Sequence, residues 1–253
     1  MSNSVKYFVG NWKMFGNTRS FKIIDKIDQH FRKDKKNNRK YKVILAPPFT
    51  LLQDYSRRFQ NKKVIISAQN CYHKDNYGAF TGQVSPYMIK KMGIRNIIIG
   101  HSENRAMGET NQILEKKFLL ASKNNLKIIY CIGENSIEKR KKKTLAILKK
   151  QISSVIKKKH YLKKVIFAYE PVWSIGSGKV PSTSELKRIV ITIKNFIKQN
   201  FKSNSQVKLL YGGSVDQKTI HNFKSIKELD GFLIGGASKS SKNFIDIIKN
   251  FYK

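Results

Sequence analysis

Short runs of apolar and β-branched residues recur along the chain, at 7–9, 43–45, 64–66, 97–99, 128–132, 165–168, 207–210 and 232–234. None alternates apolar with polar positions as a half-solvated strand does. Each therefore reads as a strand buried on both faces, as in a parallel sheet covered by helices. Between the runs the apolar positions take a helical period: Phe21, Ile24, Ile27 and Phe31; Leu145, Leu148, Ile152 and Ile156; Ile189, Ile193, Phe196 and Ile197. Each stripe predicts a helix packed on the sheet with lysines on its outer side. Strands alternating with helices imply βαβ units with right-handed crossovers, and eight such units either close into a barrel or stay an open doubly wound sheet. The pattern does not separate the two. No Pro- or Ser-rich linker and no shift in composition divides the chain, so residues 1–253 read as one domain.

Nearly every apolar run is followed by an unusual polar or glycine-rich segment: Asn11-Trp12-Lys13, Gln69-Asn70, Gly100-His101-Ser102-Glu103, Gly133-Glu134, Glu170-Pro171, Gly212-Gly213-Ser214 and Gly235-Gly236. In a barrel all strand C-termini share one face, so these segments would converge on one site. Glu170, a carboxylate at the end of an apolar strand, is a candidate general base; taken alone it reads equally as an acid favoured at a helix N-terminus, with Pro171 in the first turn. His101 is placed to polarise a carbonyl or move a proton, although a lone histidine at a strand end is more often structural. The segments Gly176-Ser177-Gly178, Gly212-Gly213-Ser214 and Gly235-Gly236 let backbone N–H groups approach an anion with no Cβ in the way. Any one of them alone is more often just a tight βα turn. Two nucleotide motifs are excluded: Val180 stands where a P-loop needs Ser or Thr, and no GxGxxG opens the first helix.

Charge is the loudest feature of the composition. Lys and Arg total 51 against 16 Asp and Glu, a formal net charge of +35. Such an excess raises a nucleic-acid or acidic-surface binding role, since cations that neutralise phosphates release counterions. The lysines are spread over most predicted helices and loops, and no zinc, helix-turn-helix or RNP-type motif accompanies them, which favours solvated faces. With 40% hydrophobic residues the chain has material for a core, which excludes a basic disordered tail. Two cysteines without CxxC spacing point to a reducing compartment. The N-terminal segment has no apolar leader and no run is long enough for a membrane span, so a cytoplasmic protein is expected. No HxxxH pair or carboxylate cluster offers a metal site, and neither metal nor cofactor is expected.

The segments Asn11-Trp12-Lys13-Met14, Gly100-His101-Ser102-Glu103, Cys131-Ile132-Gly133-Glu134, Tyr169-Glu170-Pro171-Val172-Trp173, Tyr211-Gly212-Gly213-Ser214-Val215 and Gly235-Gly236-Ala237-Ser238 follow one another as they do in triosephosphate isomerases. The chain resembles that family over essentially its whole length, and the segments around Glu170 and Gly212 are highly specific. The resemblance implies an α/β fold, an eight-stranded parallel (β/α)8 TIM barrel. It also implies interconversion of dihydroxyacetone phosphate and D-glyceraldehyde 3-phosphate through an enediol(ate), as in glycolysis and gluconeogenesis. Glu170 would then abstract the carbon-bound proton, His101 would polarise the carbonyl and shuttle protons, Lys13 would stabilise developing charge and Asn11 would bind the oxygen edge. Gly176 would lie on a mobile lid, with Ser214, Gly235 and Gly236 offering further N–H groups to the phosphate. Glu103 would be a supporting residue and Cys131 a packed one. A homodimer is implied as well.

Departures from the family pattern carry their own expectations. Pro181 stands where many relatives place an alanine whose N–H meets the tyrosine at position 211, so the lid must be held by other contacts, Ser214 included. Gln83 and Asn104 replace a Glu and an Arg of the dimer region, and the segment from Asn104 to Glu109 is one residue shorter than usual. The implied dimer is therefore expected to be less salt-sensitive than usual. The alternatives from other classes are a basic barrel that also binds nucleic acid, and a different aldose-ketose isomerase or epimerase.

Overall fold

The apolar runs form β1 (Lys6–Asn11), β2 (Tyr41–Ala46), β3 (Ile65–Ala68), β4 (Asn96–Ile99), β5 (Lys127–Ile132), β6 (Val165–Tyr169), β7 (Lys208–Tyr211) and β8 (Gly231–Ile234) in a computed structural model that describes residues 5–253. The first part of the expected leader-free N-terminus, residues 1–4, lies outside the described residues. Each strand pairs in parallel with the next, and β8 returns to β1 from Tyr7↔Gly231 to Gly10↔Ile234. That last pairing decides between the two sheets the pattern allowed: the barrel is closed. Gly231 permits the closure. It has φ +146°, and a Cβ there would stand 2.0 Å from the Tyr7 carbonyl oxygen.

The predicted stripes form α1 (Phe21–Lys33), α7 (Thr144–Val155) and α8 (Thr183–Asn200), and the remaining helices are α2 (Phe49–Phe59), α3 (Pro86–Lys91), α4 (Ser102–Ala106), α5 (Asn111–Lys123), α6 (Ser136–Arg140) and α9 (Ser241–Tyr252). Side-chain oxygens of Thr110, Ser182 and Ser240 accept N–H groups in the first turns of α5, α8 and α9, satisfying donors that the helix itself cannot. One unit departs from the expected alternation: β7 and β8 are joined by a 3-10 helix, Thr219–Phe223. Its buried residues Ile220 and Phe223 lie three apart, which suits the 3-10 period. Asp216 tightens the entry by accepting the N–H groups of Lys218 and Thr219, both at 2.7 Å.

Burial on both strand faces resolves into two cores. Tyr7, Val9, Ile44, Ile98, Ile129, Cys131, Leu210 and Leu233 fill the barrel interior. The intervening residues, such as Phe8, Val43, Ile97, Phe167 and Phe232, point outward and pack under the helices. Phe8 meets Tyr41, Phe232 and Phe251 with ring centroids 5.7–5.8 Å apart. Among the described residues no helix is long and apolar enough to cross a membrane.

Candidate active site

Because every strand runs the same way, the loops after all eight lie at one end of the barrel. A cavity of about 370 Å³ opens there, lined by Asn11, Lys13, His101, Glu170, Gly176, Ser214, Gly235 and Gly236 among others. These come from the ends of β1, β4, β6, β7 and β8, so barrel closure gathers residues that are far apart in the chain.

Glu170 follows β6 directly, and its N–H continues the ladder to the Ile132 carbonyl at 2.7 Å. Its side chain is buried, with Oε1 3.2 Å from His101 Nε2 and Oε2 accepting the Ser102 N–H at 3.4 Å. Two glycines make the room it needs. A Cβ on Gly212 would stand 2.8 Å from Glu170 Cγ, and one on Gly133 would stand 1.8 Å from the Glu170 carbonyl oxygen. His101 caps α4, its Nδ1 accepting the Glu103 N–H at 3.2 Å. An imidazole nitrogen that accepts carries no proton, so the proton of the neutral ring is on Nε2, the atom facing Glu170 and the cavity. A carboxylate and an Nε2–H donor so arranged can take a proton from carbon while hydrogen-bonding an adjacent oxygen.

Lys13 has φ +56°, an uncommon conformation for a residue with a side chain. It is held from both sides: Asn11 Oδ1 accepts its N–H at 3.1 Å, and Gln69 donates to its carbonyl at 2.9 Å and to that of Ala46 at 2.8 Å. Its ammonium donates to Glu103 Oε1 at 2.6 Å. The cavity is also walled by Gly176, Gly178, Gly212, Gly213, Gly235 and Gly236, where backbone can approach an anion closely. Ser214 ties that wall to the β6–α8 loop: its Oγ accepts the Gly178 N–H at 3.2 Å and donates to the Ser174 carbonyl. Among the described residues no group of three or more His, Cys, Asp or Glu side chains could hold a metal ion.

A buried carboxylate beside an imidazole donor, a lysine, and a glycine rim at the strand ends of a closed (β/α)8 barrel narrow the possible relatives. A family model of triosephosphate isomerase matches residues 6–251. The chain belongs to the triosephosphate isomerase family. It is 34% identical to the triosephosphate isomerase of Neurospora crassa over 96% of this chain and 97% of that one. It is 36% identical to that of Leptospira interrogans over 94% and 97%. The crystal structure of triosephosphate isomerase from Bartonella henselae superposes with a TM-score of 0.88 at 29% identity, covering 98% of this chain and 99% of that one.

Within this family frame, the other strand-end residues pack around the site. Cys131 points into the barrel interior, and its thiol pKa is pushed well up by burial and then by the nearby Glu170 carboxylate. Glu134 is buried and accepts from Trp173 Nε1 at 2.9 Å and the Tyr169 hydroxyl at 3.1 Å; burial raises its pKa. Ser174, absent from the candidates the sequence offers, has a fully buried hydroxyl that bonds Tyr211 at 2.9 Å. No local signal marks it, because a serine in a 3-10 turn is ordinary.

Proposed function

We propose that residues 1–253 form one catalytic barrel domain and that the cavity at its C-terminal rim is where the family's reaction takes place. The chain is a triose-phosphate isomerase, an aldose-ketose isomerase that interconverts dihydroxyacetone phosphate and D-glyceraldehyde 3-phosphate. The observation that carries the residue roles is the 3.2 Å approach of Glu170 Oε1 to His101 Nε2 in a cavity walled by glycine backbone. Glu170 takes a proton from C1 of the ketose, and the electron pair of that C–H bond forms the C1–C2 double bond of an enediolate. His101 Nε2–H donates to the C2 oxygen and lets a proton pass between the two oxygens. Return of the carbon-bound proton from Glu170 to C2 gives the aldose, so protons balance over the cycle. Asn11 and Lys13 hold the oxygen edge, and the N–H groups of Gly176, Gly235 and Gly236 bind the phosphate; the Ser214 N–H, expected to join them, is turned to Ser174 Oγ at 3.3 Å, so Ser214 acts there by holding the loop. Fixed donors act strongly here because charge develops away from bulk water. The net charge of +35 adds a long-range, salt-dependent attraction for the dianionic substrate.

The test is a coupled assay with D-glyceraldehyde 3-phosphate on the purified protein; a folded protein without activity overturns the assignment. Lys13→Met keeps the side-chain length and removes the charge. It is expected to lower kcat/KM by about 10²–10³-fold, measured in the same assay. A near-normal value would remove Lys13 from the site.

We also read the protein as a cytoplasmic homodimer. The loops after β1, β3 and β4 expose Met14 at 98%, Tyr77 at 74%, Phe80 at 40% and Met107 at 86%, apolar surface of the kind that marks an association site. With Gln83 and Asn104 in that region, association rests on apolar and neutral contacts. Light scattering over a dilution series is expected to give the same dimer at low and high salt. Dissociation that rises steeply with salt would overturn this reading.

A further inference from the structure

The β6–α8 loop is fastened at its base by two hydroxyls, those of Ser174 and Ser214. Ser174 ends the turn Val172–Ser174 and is fully buried, and its Oγ has partners from three parts of the fold. It donates to the Lys179 carbonyl at the far end of the loop. It accepts the Ser214 N–H at 3.3 Å and lies 2.9 Å from the Tyr211 hydroxyl. A carbonyl can only accept, so the one proton on Ser174 is committed to Lys179 and Tyr211 must donate in the third bond. The hydroxyl's capacity of one donor and two acceptor sites is then full.

Two observations link this knot to the anion rim rather than to general packing. A Cβ on Gly213 would stand 2.2 Å from the Tyr211 hydroxyl and 2.6 Å from Ser174 Oγ, so the pair lies directly under a glycine that lines the cavity. In addition, Pro181, two residues past Lys179, has no N–H to offer a phenol. Among the described residues the Tyr211 hydroxyl has Ser174 as its hydrogen-bond partner. The loop's start, its Gly178 N–H and its exit at Lys179 are thus joined to each other and to the end of β7 through Ser174 and Ser214.

We propose that Ser174 is a positioning residue for the isomerisation: its hydroxyl, through Tyr211, Ser214 and Lys179, holds residues 174–179 where their backbone faces the substrate phosphate. This rests on the reading of that segment as a lid over the phosphate. A loosened lid leaves the enediolate open to water, and its electron pair can then expel the phosphate, breaking the C3–O bond and leaving an enol that becomes 2-oxopropanal.

The experiment compares wild type, Ser174→Ala, Ser174→Thr and Tyr211→Phe by isomerase assay and by phosphate released per turnover. Ser174→Ala is expected to lower kcat about tenfold, the scale of one hydrogen bond, and to raise phosphate release severalfold. Ser174→Thr, which keeps the hydroxyl, restores the ratio. Ser174→Ala/Tyr211→Phe costs no more than the worse single variant, because both remove the same bond. A purely structural role would lower the melting temperature without moving the ratio of phosphate release to isomerisation, and that result overturns the proposal. Should Ser174→Ala not fold, Tyr211→Phe breaks the bond from the other side, and a wild-type ratio there overturns it equally. Trp173 fluorescence on adding 2-phosphoglycolate separates the two readings. No response in wild type means that the lid reading fails and the proposal with it. A response in wild type together with an unchanged ratio in the variants removes Ser174 alone.

Discussion

Glu170→Asp is expected to turn over at about one hundredth of the wild-type rate or less, since displacing a reacting group by ~1 Å can cost ~10²-fold. Removing one methylene withdraws the carboxylate by about that distance or more. The backbone cannot follow to make up the loss. The Glu170 N–H is held by the Ile132 carbonyl at 2.7 Å, and Gly133 packs against the Glu170 peptide with no space for even a Cβ. KM should change little, because the segments proposed to hold the phosphate, Gly176 and Gly235-Gly236, are left as they are. A fall confined to kcat is the mark of an interaction made in the transition state. The coupled assay gives both constants, and thermal unfolding checks that the variant is folded. Unimpaired isomerisation by a folded Glu170→Asp removes this residue as the base.

Gly133→Ala is expected to damage the same carboxylate without touching it. The added Cβ would lie 1.8 Å from the Glu170 carbonyl oxygen and 2.7 Å from its carbonyl carbon, and both neighbours are backbone, which cannot rotate aside. Either the ends of β5 and β6 separate or the Gly133 peptide moves. Moving that peptide would break its paired bonds with Gln151, where the Gly133 N–H donates to Oε1 and the Gly133 carbonyl accepts from Nε2, both at 2.9 Å. Overpacking of this severity is expected to cost about 3 kcal/mol or more of stability, read from urea unfolding. In the protein that still folds, kcat is expected to fall about 10²-fold through the displaced base. Combining Gly133→Ala with Glu170→Asp should cost less than the sum of the two, since both act on one carboxylate position. Wild-type stability and turnover in Gly133→Ala would show that the strand ends yield freely, contrary to the close packing seen here.

Much of the architecture was legible along the chain. Runs such as 43–45 and 165–168 lie inside the observed Tyr41–Ala46 and Val165–Tyr169, because a strand buried on both faces must be continuously apolar whatever surrounds it. The stripe Ile189, Ile193, Phe196 and Ile197 marks α8 for the corresponding helical reason. The exception is the link between β7 and β8, where Ile220 and Phe223 lie in a 3-10 turn. His101 and Glu170 were also legible as candidates, as polar chemistry placed abruptly after apolar runs, whereas Asn11 and Lys13, one lysine among many, were marked by the family resemblance.

What the sequence determined by itself is therefore local: which segments are buried, with what period, and which polar groups stand at their ends. Tertiary structure alone decided which buried residue faces inward. Tyr7 and Val9 line the barrel interior while Phe8 packs under the helices, a distinction that uniform hydrophobicity cannot encode. It also decided that the sheet closes, through β1 and β8 at opposite ends of the chain. Closure in turn brings Glu170 Oε1 to 3.2 Å from His101 Nε2 and Ser174 to 2.9 Å from Tyr211. Such contacts have no signature in either partner's neighbourhood, because a hydrogen bond depends on where two backbones cross in space, and that is set by packing of the whole barrel.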